Sequence, residues 1–216
     1  MKRFVIIGLG NFGSAAAVTL YEQGHEVIVV DTSEETIDRL GNTVTRAAVG
    51  DGRDVDTLKR VGVAEADAGV ISTGDDIAAS ILATMALKDL GVDDIFVKVI
   101  SRDHARVMEK IGVTETVFPE KDSAESLAQR ITGKAVLNYV NIAPGFSLQE
   151  MAVPDKWCGK SLAQLDIRRE FGVLVVALHD VLTDTYSAPD PQAVLEDSDT
   201  LLLAGNDRNL QELAEL

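Results

Sequence analysis

A short apolar segment at residues 5–7 runs directly into three glycines spaced Gly8-x-Gly10-x-x-Gly13, and a helical pattern begins within that spacing. Gly8 permits a tight turn, Gly10 lets the backbone approach a pyrophosphate, and Gly13 allows the helix to pack closely on the strand. The amide groups at the start of such a helix carry partial positive charge, which stabilises phosphate oxygens. The segment therefore predicts a strand–turn–helix unit that binds a nucleotide.

The surrounding pattern places this unit in a Rossmann-type domain over residues 1–133. Short β-branched runs alternate there with helical patterns, which is typical of a parallel, doubly wound α/β sheet with strands buried on both faces. The predicted strands lie at 4–7, 27–30, 45–49, 69–71, 95–99 and 115–118. The predicted helices lie at 12–23, 34–40, 55–61, 76–90, 103–111 and 123–132.

Acidic residues follow several predicted strands, at the edge where open α/β sheets bind ligands. Asp31 can accept hydrogen bonds from both hydroxyls of a ribose and would repel a 2′-phosphate, so NADP is disfavoured. Asp51 can accept from an adenine amine. Asp76 is either a ligand contact or a plain helix N-cap, and Lys98 either faces a phosphate or has no role at the surface. A Rossmann domain that has lost its ligand is the remaining alternative.

Composition excludes some classes of function. The 216 residues contain 20 Lys and Arg against 35 Asp and Glu, a net charge of -15 that disfavours nucleic-acid binding. A single cysteine, Cys158, excludes an intrachain disulfide and favours a reducing compartment. No segment approaches 18 uninterrupted apolar residues, so we expect a soluble cytoplasmic protein.

Catalytic residues are not evident beside the nucleotide site. A dehydrogenase needs a group that moves a proton while hydride moves. No Tyr-x-x-x-Lys pair occurs, and the three histidines are scattered without metal spacing. A non-enzymatic binding module is therefore favoured over a small NAD-dependent oxidoreductase or a redox-sensing Rossmann protein, which remain the alternatives.

A change of pattern after residue 133 predicts a hinge or linker at 134–142 and a small α+β domain at 143–216. The second domain begins with an alternating strand, continues through a helical segment "KSLAQLDIRREF" and a strand "GVLVVALHD", and has a turn-rich segment "TDTYSAPDPQ". A strand "DTLLLAGN" and a short helix close it. Its size is too small for a full substrate domain but sufficient for a ligand sensor or a dimerisation unit.

The motifs "VIIGLGNFGSA", "ISTGDDIAASILATMALKDLG", "IFVKVISRDHARVMEKIGV" and "VFPEKDSAESLAQRI", followed by "GKSLAQLDIRREFGVLVVAL", resemble the RCK family (regulator of K+ conductance, also called KTN), in its KtrA/TrkA type. The resemblance covers the whole chain and implies a non-enzymatic regulatory subunit. It implies a homodimer that assembles into a ring, an octamer by analogy, on the cytoplasmic face of a membrane K+-translocating subunit of the KtrB/TrkH type. Nucleotide exchange would change the shape of the ring.

The resemblance also implies which residues line the nucleotide pocket. They are Gly8, Leu9, Gly10, Asn11, Phe12, Gly13, Asp31, Thr32, Ser33, Asp51, Gly52, Thr73, Gly74, Asp75, Lys98, Val99, Ile100, His104 and Glu120. In ATP-binding members the carboxylate that Glu120 matches lies near the γ-phosphate and a divalent cation, Mg2+ or Ca2+, at the dimer interface. The alternative for Glu120 is a helix N-terminal carboxylate stabilised by the helix dipole.

Position 11 departs from the family pattern, because ATP-gated members carry arginine where this chain has Asn11. Asparagine cannot form the same charge-assisted bond to a γ-phosphate. ATP or ADP is ranked first, with NAD(H) as the alternative. Some members bind cyclic di-AMP between two subunits, and Ile167, Arg168 and Pro189 fall near the matching pocket.

Helix 76–90 has Ile77, Ile81, Leu82 and Met85 at helical spacing. This face either packs on its own sheet or contributes to a subunit interface, and homo-oligomerisation is expected in both cases.

Overall fold

The computed structural model describes residues 1–132 and 135–216, which form two compact units, Met1–Glu120 and Lys121–Leu216. Within these described ranges, no helix has both the length and the apolar character that crossing a membrane requires.

The first unit is a six-stranded, wholly parallel sheet with the strand order β3-β2-β1-β4-β5-β6. Its strands are β1 (Arg3–Ile7), β2 (Glu26–Asp31), β3 (Arg46–Val49), β4 (Ala68–Ile71), β5 (Ile95–Lys98) and β6 (Glu115–Val117). The helices between them are α1 (Asn11–Glu22), α2 (Glu34–Leu40), α3 (Val55–Arg60), α4 (Ile77–Asp89) and α5 (Arg102–Ile111). This is the doubly wound Rossmann order, so the predicted fold class is confirmed.

Two cores lie on opposite faces of this sheet because neighbouring residues of a strand point to opposite sides. Val5 and Ile7 of β1 pack with Leu87 of α4 in one core. Ile6, between them, packs with Ile37 of α2 in the other core. Burial on both faces explains why the strands are continuously apolar rather than alternating.

Helix α4 uses a different face from the one that its large apolar residues suggested. Small side chains such as Ser80 and Ala83 are buried with Leu87, whereas Leu82 and Met85 remain about half exposed, at 50% and 45%. The interpretation that the face with Ile77, Ile81, Leu82 and Met85 packs on its own sheet is therefore wrong for most of these residues. Small residues and Leu87 pack toward the sheet here, and Leu82 and Met85 face outward.

Helix α6 (Pro119–Thr132) begins four residues earlier than predicted. Proline is favoured at the first helical position because its missing N–H group is not needed there. As a result, Glu120 lies in the first turn of α6.

The second unit contains a five-stranded antiparallel sheet with the order β10-β9-β11-β8-β7. Its strands are β7 (Val136–Ala143), β8 (Phe146–Ala152), β9 (Leu174–Asp180), β10 (Thr185–Ser187) and β11 (Asp199–Asn206). Its shorter helices are α7 (Leu162–Leu165), α8 (Ile167–Phe171) and α9 (Asp207–Ala214), and their apolar residues join a separate core around Met151, Trp157, Leu201 and Leu210.

Three features of this unit differ from the predictions. The segment 134–142, predicted as a linker, contains most of strand β7, which pairs with β8; residues 133 and 134 lie outside the described residues. The predicted helix "KSLAQLDIRREF" is divided at Asp166, whose positive φ of 40° ends α7. The turn-rich segment contains the short strand β10, which pairs with β9.

Candidate functional site

The glycine-rich turn between β1 and α1 is held by close backbone contacts. A Cβ atom on Gly8 would lie 2.3 Å from the carbonyl oxygen of Ser72, and the φ of Gly8 is +88°. A Cβ on Gly13 would lie 2.0 Å from the carbonyl oxygen of Gly8. Neither position admits a side chain without moving backbone, so the tight turn and the close packing predicted from the spacing are both present.

Gly10 has the opposite environment. A Cβ placed there would meet nothing within 4 Å, and Gly10 is the N-cap of α1 without any side-chain cap. The start of α1 therefore has no capping side chain and has open space beside Gly10, an arrangement suited to binding phosphate at a helix N-terminus.

A cleft of about 430 Å³ opens beside this turn, at the carboxyl ends of the strands. Its lining includes nine of the predicted pocket residues, namely Gly8, Leu9, Gly10, Asp31, Thr32, Asp51, Gly52, Thr73 and Gly74. The sequence analysis missed other lining residues, above all Arg53, and left Asp76 undecided. Ten predicted residues do not line it: Asn11, Phe12, Gly13, Ser33, Asp75, Lys98, Val99, Ile100, His104 and Glu120.

Asp31 connects the glycine-rich turn to the end of β2. Its Oδ2 accepts a hydrogen bond from the amide of Leu9 at 2.6 Å, and its Oδ1 accepts from the amide of Ser33 at 2.8 Å. A carboxylate has about four acceptor sites, so each oxygen retains capacity for a ribose hydroxyl. Ser33 itself is the N-cap of α2, where its Oγ accepts from the amide of Thr36, and it does not line the cleft.

Asp51 is paired with Arg53 rather than free. The Nε of Arg53 donates to both oxygens of Asp51, at 2.9 and 3.0 Å, and its Nη2 donates to Oδ2 at 2.7 Å. Hydrogen bonds from the Arg53 guanidinium hold the pKa of Asp51 below its ordinary value. The arginine two residues after the predicted adenine-binding carboxylate in "GDGRD" was the signal in the sequence that could have revealed this partner.

Asp76 is the N-cap of α4, and it also lies on the wall of the cleft, where the predicted ligand contact stays a prediction. Its Oδ1 accepts from the amide of Ala79 at 2.8 Å. Thr73 donates its hydroxyl to the carbonyl of Asp76 at 3.2 Å, and this bond ties the β4–α4 loop together. Gly74 has a φ of +65° within that loop.

Lys98 and Glu120 form an ion pair with an Nζ–Oε1 distance of 2.5 Å. The hydrogen bond from Lys98 holds the pKa of Glu120 below its ordinary value. A divalent cation at Glu120 would compete with this ammonium group, and among the described residues no three His, Cys, Asp or Glu side chains converge on a metal position. The position of Glu120 in the first turn of α6 agrees with the helix N-terminal interpretation, and a cation shared with a γ-phosphate at a dimer interface stays a prediction.

His104 is buried rather than exposed on the cleft wall, with 1% of its surface exposed. Its Nε2 lies 3.1 Å from the hydroxyl of Ser80, and its Nδ1 has no partner in the described residues. Burial lowers the pKa of His104. The side chain packs between α4 and α5, which corrects the prediction that it lines the pocket. Val99 is likewise buried, at 1% exposed.

The residues predicted for cyclic di-AMP have different environments. Ile167 is 3% exposed and belongs to the core of the second unit, which corrects its assignment to a pocket. Arg168 is exposed on α8, and Pro189 is partly buried after β10.

A second group of polar side chains, which the sequence analysis missed, lies in the sheet of the second unit. We call it the Glu150 cluster. Glu150 accepts hydrogen bonds from Asn138 Nδ2 at 2.6 Å and from Thr200 Oγ1 at 2.6 Å, and its Oε1 lies 3.0 Å from His179 Nδ1. The ring of Tyr186 stacks on that of His179 with centroids 4.0 Å apart.

Comparison with known families agrees with this architecture. A model described as the TrkA-N domain matches residues 4–119, and one described as the TrkA-C domain matches residues 148–216. The chain belongs to the family of proteins with TrkA-N and TrkA-C domains. Two relatives from Bacillus subtilis (strain 168) are the Ktr system potassium uptake protein C, 34% identical over 95% of this chain and 92% of the relative, and the Ktr system potassium uptake protein A, 30% identical over 97% and 94%.

Solved structures also share the fold of this TrkA-N/TrkA-C chain. The GsuK RCK domain aligns with a TM-score of 0.67 and 19% identity over the whole chain, which spans 47% of the GsuK chain. The GsuK channel bound to NAD aligns with a TM-score of 0.52, 19% identity, and coverage of 100% and 38%. The Kef C-terminal domain of Shewanella denitrificans in its AMP-bound form aligns over 61% of this chain and 82% of that one, with a TM-score of 0.52 and 25% identity.

Proposed function

We propose that this chain is a nucleotide-sensing regulatory subunit that controls a K+ channel or transporter. The observation that carries the proposal is the open phosphate-binding turn at Gly10, beside Asp31, within a chain whose two domains both match potassium uptake proteins. The subunit acts by binding rather than by catalysis, in the cytoplasm, on the inner face of a membrane that holds its K+-translocating partner.

The ligand that we propose for the cleft is an adenine nucleotide. The α1 N-terminus suits a phosphate, and the remaining acceptor capacity of Asp31 suits a ribose. AMP, ADP, ATP and NAD(H) all contain adenosine 5′-phosphate, and the Kef domain at 25% identity is described in an AMP-bound form. ATP or ADP is the first candidate, because Asp51 and Glu120 match the positions of ATP-binding members of the family. NAD(H) is the second, because the neutral Asn11 provides no charge for a γ-phosphate.

Regulation requires that the ligand bind two shapes of an assembly with different affinities. We propose a homodimer that builds a larger ring, and the exposed side chains of Ile77, Leu82 and Met85 on α4 are suited to a contact between copies. The segment 134–142, whose residue 134 lies outside the described residues and whose remainder is mostly strand β7, is proposed to transmit the change between the two units. We keep the proposal of a cyclic di-AMP site with Arg168 and Pro189 as its residues, and leave out Ile167 because it lies in the core.

The test is to release the nucleotide that co-purifies with the full chain and identify it by mass spectrometry. Isothermal titration with ADP, ATP, NAD+, NADH and adenosine, with GTP as control, then ranks the affinities. K+ uptake is measured in cells that express the membrane subunit with and without this chain. Binding of an adenine nucleotide together with chain-dependent K+ uptake is the expected result. Sustained NADH formation from NAD+ with a panel of substrates would show that the chain is an oxidoreductase instead.

A further inference from the structure

Arg53 lines the cleft but makes no contact that the proposed function uses. Its guanidinium is held by Asp51 through three side-chain hydrogen bonds of 2.7 to 3.0 Å. Both side chains are nearly half exposed, at 47% and 41%. An ion pair with this exposure contributes little to stability, so a ligand that offers a better partner to either side chain can replace it.

The backbone that carries Arg53 is fixed, so that only the side chain can turn. A Cβ on Gly52 would lie 2.2 Å from Cγ2 of Ile7, which shows how closely the loop lies on the end of β1. The amide of Gly50 donates to the carbonyl of Asp31 at 2.9 Å, and the amide of Asp54 donates to the carbonyl of Asp51 at 3.1 Å. Asp54 then caps α3 with its side chain.

The charges of the cleft give Arg53 a particular importance. Among the described residues that line it, Asp31, Asp51 and Asp76 are acidic, and Arg53 is the single Lys or Arg. A nucleotide adds further negative charge to this acidic wall. Lys98 is outside the lining and is paired with Glu120, and position 11 is a neutral asparagine.

We propose that Arg53 is a ligand-binding residue that exchanges partners. Asp51 holds the guanidinium in the empty cleft, and on nucleotide binding the guanidinium turns to the phosphate oxygens while Asp51 becomes available to the adenine amine. Arg53 thereby supplies the positive charge that Asn11 does not. This inference rests on the proposed function, because it assigns the residue that gives the same cleft its selectivity for phosphorylated ligands.

The exchange makes a specific prediction about which part of the ligand depends on Arg53. A guanidinium binds phosphate oxygens by charge-assisted, often bidentate hydrogen bonds. Adenosine has no phosphate, so Arg53 adds nothing to its binding. As long as the Arg53 guanidinium holds the Asp51 carboxylate, that carboxylate is not available to the adenine amine, and adenosine binding is weakened. ADP carries the phosphates and gains directly from the guanidinium.

The experiment is isothermal titration of the full chain with ADP and with adenosine, for wild type, Arg53→Gln and Arg53→Lys. Arg39→Gln is the matched control, because it removes the same charge from an exposed position of α2 outside the cleft lining. We expect Arg53→Gln to weaken ADP binding by about tenfold or more and to leave adenosine affinity unchanged or improved. Arg53→Lys is intermediate, and Arg39→Gln matches wild type. The melting temperature without ligand checks that each variant is folded.

Equal ADP affinity in wild type and Arg53→Gln would overturn the inference and leave the proposed function intact. An equal loss for ADP and adenosine would also overturn it, because Arg53 would then only position Asp51. A wild-type chain that binds none of the adenine nucleotides would instead refute the proposed function, and this inference with it.

Discussion

The nucleotide cleft and the Glu150 cluster both concentrate polar side chains, yet they differ in how completely those side chains are satisfied. In the cleft, Asp31 retains acceptor capacity, Arg53 is half exposed, and the space before Gly10 is open. In the cluster, Glu150 is 5% exposed and three donors surround it. Residue types alone therefore do not identify a binding site, because unused hydrogen-bonding capacity next to open space is also required.

The largest effect that would sharpen this comparison is expected at the glycine-rich turn. Gly13→Ala places a Cβ about 2 Å from a backbone carbonyl and should destabilise the first unit by about 3 kcal/mol. Gly10→Ala is the matched control, because its Cβ meets nothing within 4 Å; it should leave stability nearly unchanged while hindering the approach of a phosphate. Chemical denaturation and nucleotide titration separate the two effects. Equal stability of the two variants would contradict the close packing described above.

The second prediction concerns the Glu150 cluster. Glu150→Ala removes the acceptor of three hydrogen bonds from a buried position and should destabilise the second unit by about 2 kcal/mol or more. Nucleotide affinity should stay at the wild-type value, since the cluster is outside the cleft lining. Denaturation of Glu215→Ala, an exposed acid in the same unit, provides the control. A large loss of nucleotide affinity in Glu150→Ala would mean that the cluster takes part in ligand sensing.

The third prediction tests the ribose contact at Asp31. At a ligand concentration 100 times Kd, a bound nucleotide stabilises a protein by about 2.7 kcal/mol. Asp31→Ala should remove most of this stabilisation, and Asp38→Ala, an exposed acid of α2 outside the cleft lining, should retain it. Differential scanning fluorimetry measures both. An unchanged ligand-induced shift in Asp31→Ala would show that the carboxylate has only the structural contacts with Leu9 and Ser33.

The smallest expected effect is a pH dependence that originates in the Glu150 cluster. The hydrogen bond between His179 and Glu150 raises the pKa of His179 above the ordinary 6.5. Burial opposes ionisation of Glu150, but hydrogen bonds from Thr200, Asn138 and His179 outweigh it and lower its pKa. The contribution of His179 to the free energy of unfolding is therefore complete below its ordinary pKa and is lost as the pH rises through the raised pKa. The contribution of Glu150 is lost in the opposite direction, as the pH falls through its lowered pKa.

The variant His179→Gln tests the loss of stability at high pH. The stability difference between wild type and variant should be largest near about pH 6 and should shrink toward about pH 9. Denaturation curves across that range give the difference directly. A difference that stays constant with pH would show that His179 acts through its stacking on Tyr186 rather than through its charge.

The candidate site could be predicted only in part from the sequence, and particular residues show why. Gly8, Gly10, Asp31 and Asp51 lie together in the cleft because the carboxyl ends of parallel strands share one edge of a sheet. His104 and Ile167 were misplaced because a sequence position does not show whether a side chain points to a core or to a pocket. Arg53 was missed because a single arginine in a loop has no periodic pattern to distinguish it.

The sequence by itself determined the order and type of the Rossmann elements, since hydrophobic periodicity and glycine spacing are local properties of the chain. It also indicated that the second unit is a small α+β domain. Only the tertiary structure decided that the linker segment pairs as β7, that Arg53 binds Asp51, and that Asn138, Glu150, His179 and Thr200 form one cluster. The physical reason is that the cluster joins residues far apart in sequence and the Arg53 contact depends on a side-chain rotamer, so no local pattern specifies either. The pairing of β7 with β8 is a local hairpin, which the predicted linker overlooked.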